Sequence, residues 1–296
     1  MIYMDKLVRC ISEDGTLVMM AADTTEMVER SQQIHKTSAV TSAALGRLLT
    51  AASLMGSMLK GENDSVTLRI NGGGPAGTIM AVSDSDGNAR GYVQAPVVEI
   101  PLNAKGKLDV AGALGTDGSL TVIKDLNLKE PYVGQIPLVS GEIAEDITSY
   151  YAISEQIPSV CALGVLVNPD LSIKAAGGFI IQLLPTALDD TIDAVERCIK
   201  DIPPVTSMLT EGLTPEEICH KVLSEFKLDV LDSSNPKYKC NCSRERVEAA
   251  LISTGRESLE ELSYEENTEV NCQFCDKKYN FSGAQIKKLM ENARKK

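Results

Sequence analysis

The sequence contains 296 residues, of which 43% are hydrophobic and 24% charged, a composition typical of a soluble globular protein rather than a disordered or collagen-like chain. The net charge of −12 argues against a nucleic-acid surface unless the basic residues are strongly segregated. With only two histidines, His35 and His220, there is little room for an imidazole base or a polyhistidine metal site, and we assign them no role.

Residues 1–180 are predicted to form a mixed α+β core domain. Charged residues near the start interrupt any apolar signal sequence, so we expect a cytoplasmic protein. Val66, Leu68 and Ile70 alternate with polar residues, which is the period of a half-buried strand. Strand and helix patterns then mix without a regular βαβ alternation, which favours an α+β fold over a doubly wound sheet. Further strands are predicted at Ala89–Ala95, Ser119–Ile123, Cys161–Val167 and Phe179–Leu184, and a helix at Gly141–Gln156.

The weakly charged run from Thr37 to Leu59 is predicted to be a buried helix. Arg47 lies near its middle, and a guanidinium near the centre of a bilayer costs roughly 2.5 to 3.5 kcal/mol. We therefore expect no membrane span here. The glycine-rich segment Gly72–Gly77 is followed by a strand pattern rather than a helix, which favours a turn over a phosphate-binding loop.

Four carboxylates in and around the helix pattern at Gly141–Gln156 could supply an acid and a base. Acidic residues at the start of a helix more commonly complement its dipole at the surface, and we expect that role here. The four are Glu142, Glu145, Asp146 and Glu155.

Residues 181–235 are predicted to form a helical linker, with helices near Asp189–Ile202 and Thr214–Phe226. Thr214 followed by proline and by Glu217 makes a capping box at the start of the second helix. Because such a short helix is marginal alone, we expect its apolar stripe to pack on the preceding domain. The stripe contains Ile218, Val222, Leu223 and Phe226, and the polar segment Asp232–Pro236 is predicted to be an irregular connection.

The last segment, residues 236–296, forms a distinct unit with four of the eight cysteines. Cys240 and Cys242 make a CxC pair, and Cys272 and Cys275 follow as a CxxC pair after 29 intervening residues. Two close cysteine pairs in a cytosolic chain predict a tetrahedral Zn²⁺ site. Ser243 and Ser282 are predicted to cap flanking helices. Since apolar residues are few in this unit, we expect the metal to stabilise its fold.

Several roles for this cysteine site stay open on residue patterns alone. A static structural zinc site is one, and a redox switch is another, because oxidation to disulfides removes the thiolates that bind the metal. Nucleic-acid binding is disfavoured, since the unit's charge of +2 is cancelled by four thiolates and one Zn²⁺. Oxidoreductase chemistry at the CxxC pair lacks a thioredoxin-like context. The remaining cysteines, Cys10, Cys161, Cys198 and Cys219, are expected to be buried small hydrophobic residues.

Long motifs along almost the whole chain resemble the heat shock protein 33 family of redox-regulated molecular chaperones. They are GGGPAG at Gly72–Gly77, ARGYV at Ala89–Val93, SGEIAEDITSYYAISEQIPS at Ser140–Ser159, AAGGFIIQLLP at Ala175–Pro185, and KCNCSRERV and NCQFCDKKYNF around the four cysteines. The resemblance implies an α+β core, a helical linker lying on it and a C-terminal zinc domain with one Zn²⁺ per chain. All four ligand positions of the family pattern are intact.

The resemblance also implies a function without enzymatic activity. In the reduced, zinc-bound form such proteins are inactive. Oxidation forms disulfides that here would join Cys240 to Cys242 and Cys272 to Cys275, releases zinc and unfolds the linker. The activated form is an ATP-independent holdase that dimerises and binds unfolded client proteins, with no expected nucleic-acid or membrane partner. The alternative is a protein-interaction module whose zinc site is purely structural.

Overall fold

The computed structural model describes residues 4–293, and the chain divides into two compact units between Lys239 and Cys240. The strands of the first unit are β1 (Lys6–Ser12), β2 (Leu17–Asp23), β3 (Ser65–Asn71), β4 (Ile79–Asp84), β5 (Ala89–Val93), β6 (Ser119–Asp125), β7 (Tyr132–Pro137), β8 (Ser159–Val167), β9 (Ile173–Leu183) and β10 (Leu228–Ser234). Its helices are α1 (Thr25–His35), α2 (Ala39–Gly56), α3 (Val110–Leu114), α4 (Ala144–Tyr150), α5 (Asp189–Ile199), α6 (Val205–Thr210) and α7 (Pro215–Val222), with a π-helical turn at Tyr151–Glu155.

Two five-stranded antiparallel sheets form the framework of the first unit. The first sheet has the order β10-β1-β2-β9-β8, and the second has the order β5-β4-β3-β6-β7. The glycine-rich segment Gly72–Gly77 connects β3 to β4, as the prediction of a turn between strands required. Helices and antiparallel sheets share one unit, which confirms the predicted α+β class.

Helix α2 is the centre of the main core, and 89% of its residues are buried. Its length and composition are those of a membrane span, yet it packs against strands of both sheets, so the predicted buried helix is confirmed. Small residues permit this close packing, since a Cβ added at Gly46 would lie 2.6 Å from Val28 Cγ1. Arg47 is paired with Glu142 at 2.5 Å, which compensates the one charge in the helix.

The opposite face of the first sheet is covered by α5, α6 and α7. Strand residues such as Phe179 and helix residues such as Ile218 form a second apolar cluster there. The predicted capping box is present, because Glu217 Oε2 accepts from the Thr214 amide at 2.8 Å and Thr214 Oγ1 accepts from the Glu217 amide at 3.3 Å. Of the predicted apolar stripe, Ile218, Val222 and Leu223 are buried, whereas Phe226 is only partly buried.

The prediction of an irregular connection at Asp232–Pro236 is wrong for most of that segment. Leu228–Ser234 is strand β10, which pairs antiparallel with β1 at the edge of the first sheet. Most of its residues are exposed, so neither face carries the apolar alternation that marks a half-buried strand. The residues of β10 therefore belong to a sheet and not to a helical segment. The same is true of Gln182 and Leu183, which lie at the end of β9. The functional division at residues 180 and 235 stays a prediction.

Hydrogen bonds join the residues after β10 to the second sheet. Ala89 of β5 donates to Lys237 O at 3.0 Å and accepts from the Lys239 amide at 2.9 Å. The Tyr238 hydroxyl donates to Gly91 O at 2.9 Å and lies 3.1 Å from His35 Nε2. The segment immediately before Cys240 is thus hydrogen-bonded to the core.

The second unit is small and built around a two-stranded hairpin. Its elements are α8 (Arg244–Ser253), α9 (Arg256–Leu262), β11 (Asn267–Asn271), β12 (Lys278–Ser282) and α10 (Gly283–Ala293). Both predicted caps are confirmed, since Ser243 Oγ accepts from the Arg246 amide and Ser282 forms a reciprocal pair with Gln285. Among the side chains that the structure describes, seven form its buried apolar cluster: Val247, Leu251, Leu259, Tyr279, Phe281, Ile286 and Leu289.

Candidate metal centre

Four cysteine side chains converge within the second unit. Cys240 and Cys242 lie on the irregular segment before α8, where Ser243 starts the helix. Cys272 and Cys275 lie in the loop that joins β11 to β12. The antiparallel hairpin therefore presents one pair at its turn, and the start of α8 presents the other.

The spacing of the four sulfurs suits one tetrahedral metal ion. Cys240 Sγ lies 3.7 Å from Cys272 Sγ, and Cys242 Sγ lies 3.5 Å from Cys275 Sγ. All four sulfurs are within 4.8 Å of one another. Metal–sulfur bonds of about 2.3 Å in a tetrahedron place the sulfurs about 3.8 Å apart. The side chains are partly exposed, so an ion could reach them from solvent.

Backbone geometry holds the CxxC loop in a tight turn. The amides of Cys275 and Asp276 both donate to Cys272 O, at 3.3 and 2.9 Å, and the Cys272 amide donates to Lys277 O at 3.0 Å. Asp276 adopts φ 55°, a left-handed conformation that Asp tolerates better than most residues. Hydrogen bonding by the backbone amides of Cys242 and Lys277 opposes the effect of burial on the pKa of Cys240 and Cys275 respectively. Such bonds stabilise thiolates, the form that binds metal.

Burial and hydrogen bonding shift the pKa values of Cys240, Cys242 and Cys275. Burial raises the pKa of Cys242, but hydrogen bonds from Tyr279 and from the neighbouring thiols outweigh burial and lower the pKa to about 7. Burial raises the pKa of Cys240 and of Cys275 above the ordinary thiol value. Among these three thiols, negative charge is therefore most stable on Cys242 when no metal is bound.

Tyr279 is a site residue that the sequence analysis missed. Its hydroxyl donates to Cys242 Sγ at 3.1 Å, while its ring is buried in the small core. The bond raises the pKa of the Tyr279 hydroxyl, because ionisation would place two negative charges together. The alternation of Tyr279 and Phe281 along β12 places both rings on one face, but only the fold shows that this face reaches Cys242.

A comparison with protein families matches residues 5–282 to the family described as Hsp33 protein. The chain belongs to the Hsp33 family. It is 50% identical over 291 residues to the 33 kDa chaperonin of Clostridium beijerinckii, covering 98% of this chain and 99% of that protein. It is also 50% identical to the 33 kDa chaperonin of Clostridium botulinum strain Alaska E43, covering 99% of each. These names describe a chaperone rather than an enzyme.

A solved Hsp33 homologue shares the fold across both units. The crystal structure of the 33 kDa chaperonin of Thermotoga maritima matches with a TM-score of 0.89 and 38% identity, covering 99% of this chain and 100% of that one. The resemblance inferred from the sequence motifs is therefore confirmed, as is the fold class with its C-terminal cluster of four cysteines.

Glu145 is exposed in the first turn of α4, as predicted, whereas the other three acidic residues have separate structural roles in this Hsp33 family member. Asp146 is not at the surface: it is fully buried and accepts from the amides of Val139, at 2.7 Å, and Ile143, at 3.0 Å. Glu142 pairs with Arg47, as described above, and Glu155 accepts from Lys124 at 2.7 Å. Asp146 thus caps the helix, and Glu142 and Glu155 form ion pairs. None of the three is assigned a role as catalytic acid or base.

The isolated cysteines fall into two classes. Cys10 and Cys219 are fully buried, as predicted. Cys161 and Cys198 are only partly buried, so the prediction of buried cysteines is not met in full for these two. Cys161 on β8 packs against the main core, and Cys198 lies on α5.

Proposed function

We propose that this chain is a cytoplasmic, redox-regulated, ATP-independent holdase whose switch is the four-cysteine cluster. When reduced, Cys240, Cys242, Cys272 and Cys275 would hold one Zn²⁺ per chain. The observation that carries the proposal is the convergence of four sulfurs within 4.8 Å in a member of a chaperone family. Four thiolates in tetrahedral spacing are the donor set that Zn²⁺ favours.

Metal binding would decide whether the second unit is folded. Its seven-member apolar cluster is small, and units of about 60 residues are marginal without an added constraint. Structural zinc sites supply about 10 to 16 kcal/mol, which is comparable with the entire stability of a typical domain. Loss of the thiolates should therefore unfold the unit rather than loosen it slightly.

Oxidation by hydrogen peroxide would remove the thiolates. Two thiols and one hydrogen peroxide give one disulfide and two waters, so two equivalents of peroxide convert all four cysteines. We propose the pairs Cys240–Cys242 and Cys272–Cys275, which the resemblance to the family implies. Disulfide sulfurs lack the negative charge that binds the metal, so the ion is released.

Unfolding of the second unit would then act on the core through the chain itself. Cys240 follows directly on the segment that bonds to Ala89, and that segment follows β10 and α7. Loss of order at Cys240 would weaken this attachment and the docking of α7. The surface exposed would be the apolar cluster between the first sheet and α5 to α7. Contiguous apolar surface is what unfolded clients bind.

Exposure of this apolar surface also bears on dimerisation and solubility. Two activated chains would dimerise through newly exposed apolar surface, and the net charge of −12 would keep the opened chain soluble. The same acidic charge disfavours nucleic acid as a partner. No membrane partner is proposed.

The test is light scattering by a thermally unfolding client. Reduced, zinc-loaded protein is compared with protein treated with peroxide at heat-shock temperature. We expect strong suppression of scattering by the oxidised form only. The matched control is Cys198→Ser, a partly exposed cysteine outside the cluster, which should switch like the wild type.

Equal suppression by both forms, or none by either, would contradict the switch. Equal suppression by both forms would favour the alternative of an interaction surface beside a purely structural zinc site. Zinc analysis and thiol counting on the same samples show whether the cluster was oxidised.

A further inference from the structure

One edge of the second sheet is covered by the chain itself. β5 ends the strand order of that sheet and pairs with β4 on one side. On its other side lie residues 235–239, called here the edge segment, in which Tyr238 makes a parallel bridge with Ala89. The Ala89 amide donates to Lys237 O at 3.0 Å, and Ala89 O accepts from the Lys239 amide at 2.9 Å. The edge segment therefore pairs with β5 as an added strand would.

The Tyr238 side chain extends this pairing to Gly91, two residues further along β5. Its hydroxyl donates to Gly91 O at 2.9 Å and accepts from the Gly91 amide at 3.3 Å. His35 Nε2 lies 3.1 Å from the same oxygen, and the ring is partly buried against the main core. Ala89 and Gly91 are alternate residues, which present their backbone groups to the same edge of a strand. Backbone and side chain of the edge segment thus cover both residues.

The edge segment lies at the end of the first unit, directly before the first of the four clustered cysteines. Cys240 follows Lys239 in the sequence, and three of the five residues of the segment are exposed. Backbone hydrogen bonds at an exposed surface open more readily than those of a buried core. Release of the segment would leave the amides and carbonyls of Ala89 and Gly91 without their present partners. An open strand edge of this kind is a template for pairing with another extended chain.

We propose that the edge of β5 is a client-binding site, which the edge segment masks in the reduced protein and which binds extended, tyrosine-containing segments of unfolded proteins by strand addition. This inference rests on the proposed function, because unfolding of the second unit is what would release the mask. The site would act in addition to the apolar cluster between the first sheet and its covering helices.

The edge segment shows the chemistry that the site accepts. A backbone carbonyl and a backbone amide reach Ala89, and an aromatic hydroxyl reaches Gly91. In strand addition the backbone supplies the affinity, and side chains at alternate positions supply the specificity. Since every unfolded chain offers the same backbone groups, such an edge binds many sequences, with a preference set by the residue that meets Gly91.

A peptide tests the edge without any chaperone assay. The probe is a synthetic peptide of residues 232–239, added to reduced, full-length Tyr238→Ala protein at about millimolar concentration, which is the range that a short tether provides. In this variant the Gly91 amide should exchange about fivefold faster than in the wild type, because its partner is lost. The peptide should restore protection at Ala89 and Gly91. The same peptide with Tyr238→Phe should protect Ala89 but not Gly91.

The control protein for this experiment is Tyr264→Ala, which changes an exposed tyrosine of the second unit. Its Ala89 and Gly91 amides should stay as protected as in the wild type. An unchanged Gly91 amide in Tyr238→Ala would overturn the role of the hydroxyl as a mask. Failure of the unmodified peptide to protect either amide would overturn strand addition at this edge.

A second experiment examines the edge with a client. The full-length protein is oxidised with peroxide at heat-shock temperature, and amide exchange is measured with and without a permanently unfolded probe, reduced and carboxymethylated lactalbumin. We expect the Ala89 and Gly91 amides to exchange about fivefold faster after oxidation and to slow again when the probe is added. Strand β7 is the opposite edge of the same sheet, and its amides should not respond to the probe.

The outcomes separate this site from the proposed function. If oxidised protein suppresses client scattering while Ala89 and Gly91 stay protected without the probe, or exchange freely in its presence, the holdase stands and the edge is not its binding site. If oxidised protein suppresses no scattering, the proposed function fails, and the peptide experiment on reduced protein decides whether the edge binds an extended chain.

Discussion

The two groups of cysteines contain the same chemical group in opposite surroundings. The four-cysteine cluster is partly exposed and beside turns, with backbone amides and Tyr279 as donors. Cys10 and Cys219 are fully buried among apolar side chains. The four-cysteine cluster would be required for its unit to fold. Cys10 and Cys219, in contrast, lie in a core that other residues already form. Burial therefore determines both which thiols oxidant meets first and what their oxidation can change.

The sizes of the surrounding cores explain why these consequences differ. The cluster around Tyr279 and Phe281 has seven buried members, whereas α2 and the two sheets of the first unit share a far larger one. Since apolar burial is the main favourable term in folding, the first unit should survive the loss of any one thiol. The second unit should not survive loss of the metal.

The largest expected effect is that of Cys272→Ser. A serine hydroxyl is a poor substitute for a thiolate ligand, so the second unit should lose most of a contribution on the order of 10 kcal/mol and unfold under reducing conditions. Zinc content and hydrogen exchange in α8 to α10 measure this directly. Cys198→Ser is the control and should keep its zinc. Full zinc content in Cys272→Ser would refute the ligand assignment.

Next in size is Ile218→Glu, which tests the covering helix instead of the metal centre. Ile218 is 1% exposed, so a carboxylate there would be unpaired in an apolar core, at a cost of about 4 kcal/mol or more to docking of α7. We expect suppression of client scattering without oxidant. His220→Glu changes an exposed position on the same helix and should behave like the wild type. If a folded Ile218→Glu variant still needed oxidant to suppress client scattering, docking of α7 would not control activation.

Phe281→Ala tests how little core the second unit has. Phe281 is fully buried and lies beneath the Arg244 guanidinium, 4.2 Å from the ring centre. Truncation should cost about 3 to 5 kcal/mol. The temperature at which α8 to α10 lose exchange protection should fall, and activation should need less peroxide. Phe274→Ala, at a partly exposed ring in the same unit, should cost clearly less. Equal costs at the two positions would contradict the described core.

The smallest effect is expected from Tyr279→Phe. The ring stays in the core, but Cys242 loses the hydrogen bond from the hydroxyl. Partners that hold metal ligands typically contribute about 10- to 100-fold in metal affinity, and we expect a loss near the lower end of that range. Competition with a chromophoric chelator measures it. Tyr264 is exposed in the same unit, so Tyr264→Phe should leave zinc affinity unchanged. An unchanged zinc affinity in Tyr279→Phe would show that the Tyr279 hydroxyl does not contribute to metal binding.

Local signals explain what could be predicted from the sequence. The caps at Thr214, Ser243 and Ser282 involve residues three positions apart, and the burial of α2 follows from its composition. The four cysteines were identified because metal ligands occur in close pairs with a recognisable spacing. None of these inferences required knowledge of which distant segments meet.

The features that were missed depend on distant segments. β10 has exposed residues on both faces, so only its pairing with β1 makes it a strand. The bond from Tyr279 to Cys242 requires the hairpin to pack beside the start of α8. Cys10 on β1 and Cys219 on α7 belong to one buried cluster although they are far apart in the sequence. Periodicity and spacing describe neighbours in sequence and carry no information on such contacts.

The most direct test of the central claim is hydrogen exchange of the intact, zinc-loaded protein during peroxide treatment at heat-shock temperature, with zinc release followed in the same sample. We predict that α8, α9 and α10 lose protection as zinc is released, that α7 follows, and that α2 remains protected. If α8 to α10 stay protected after zinc has left and all four cysteines have been oxidised, the four sulfurs do not control the fold of their unit, and the account is wrong.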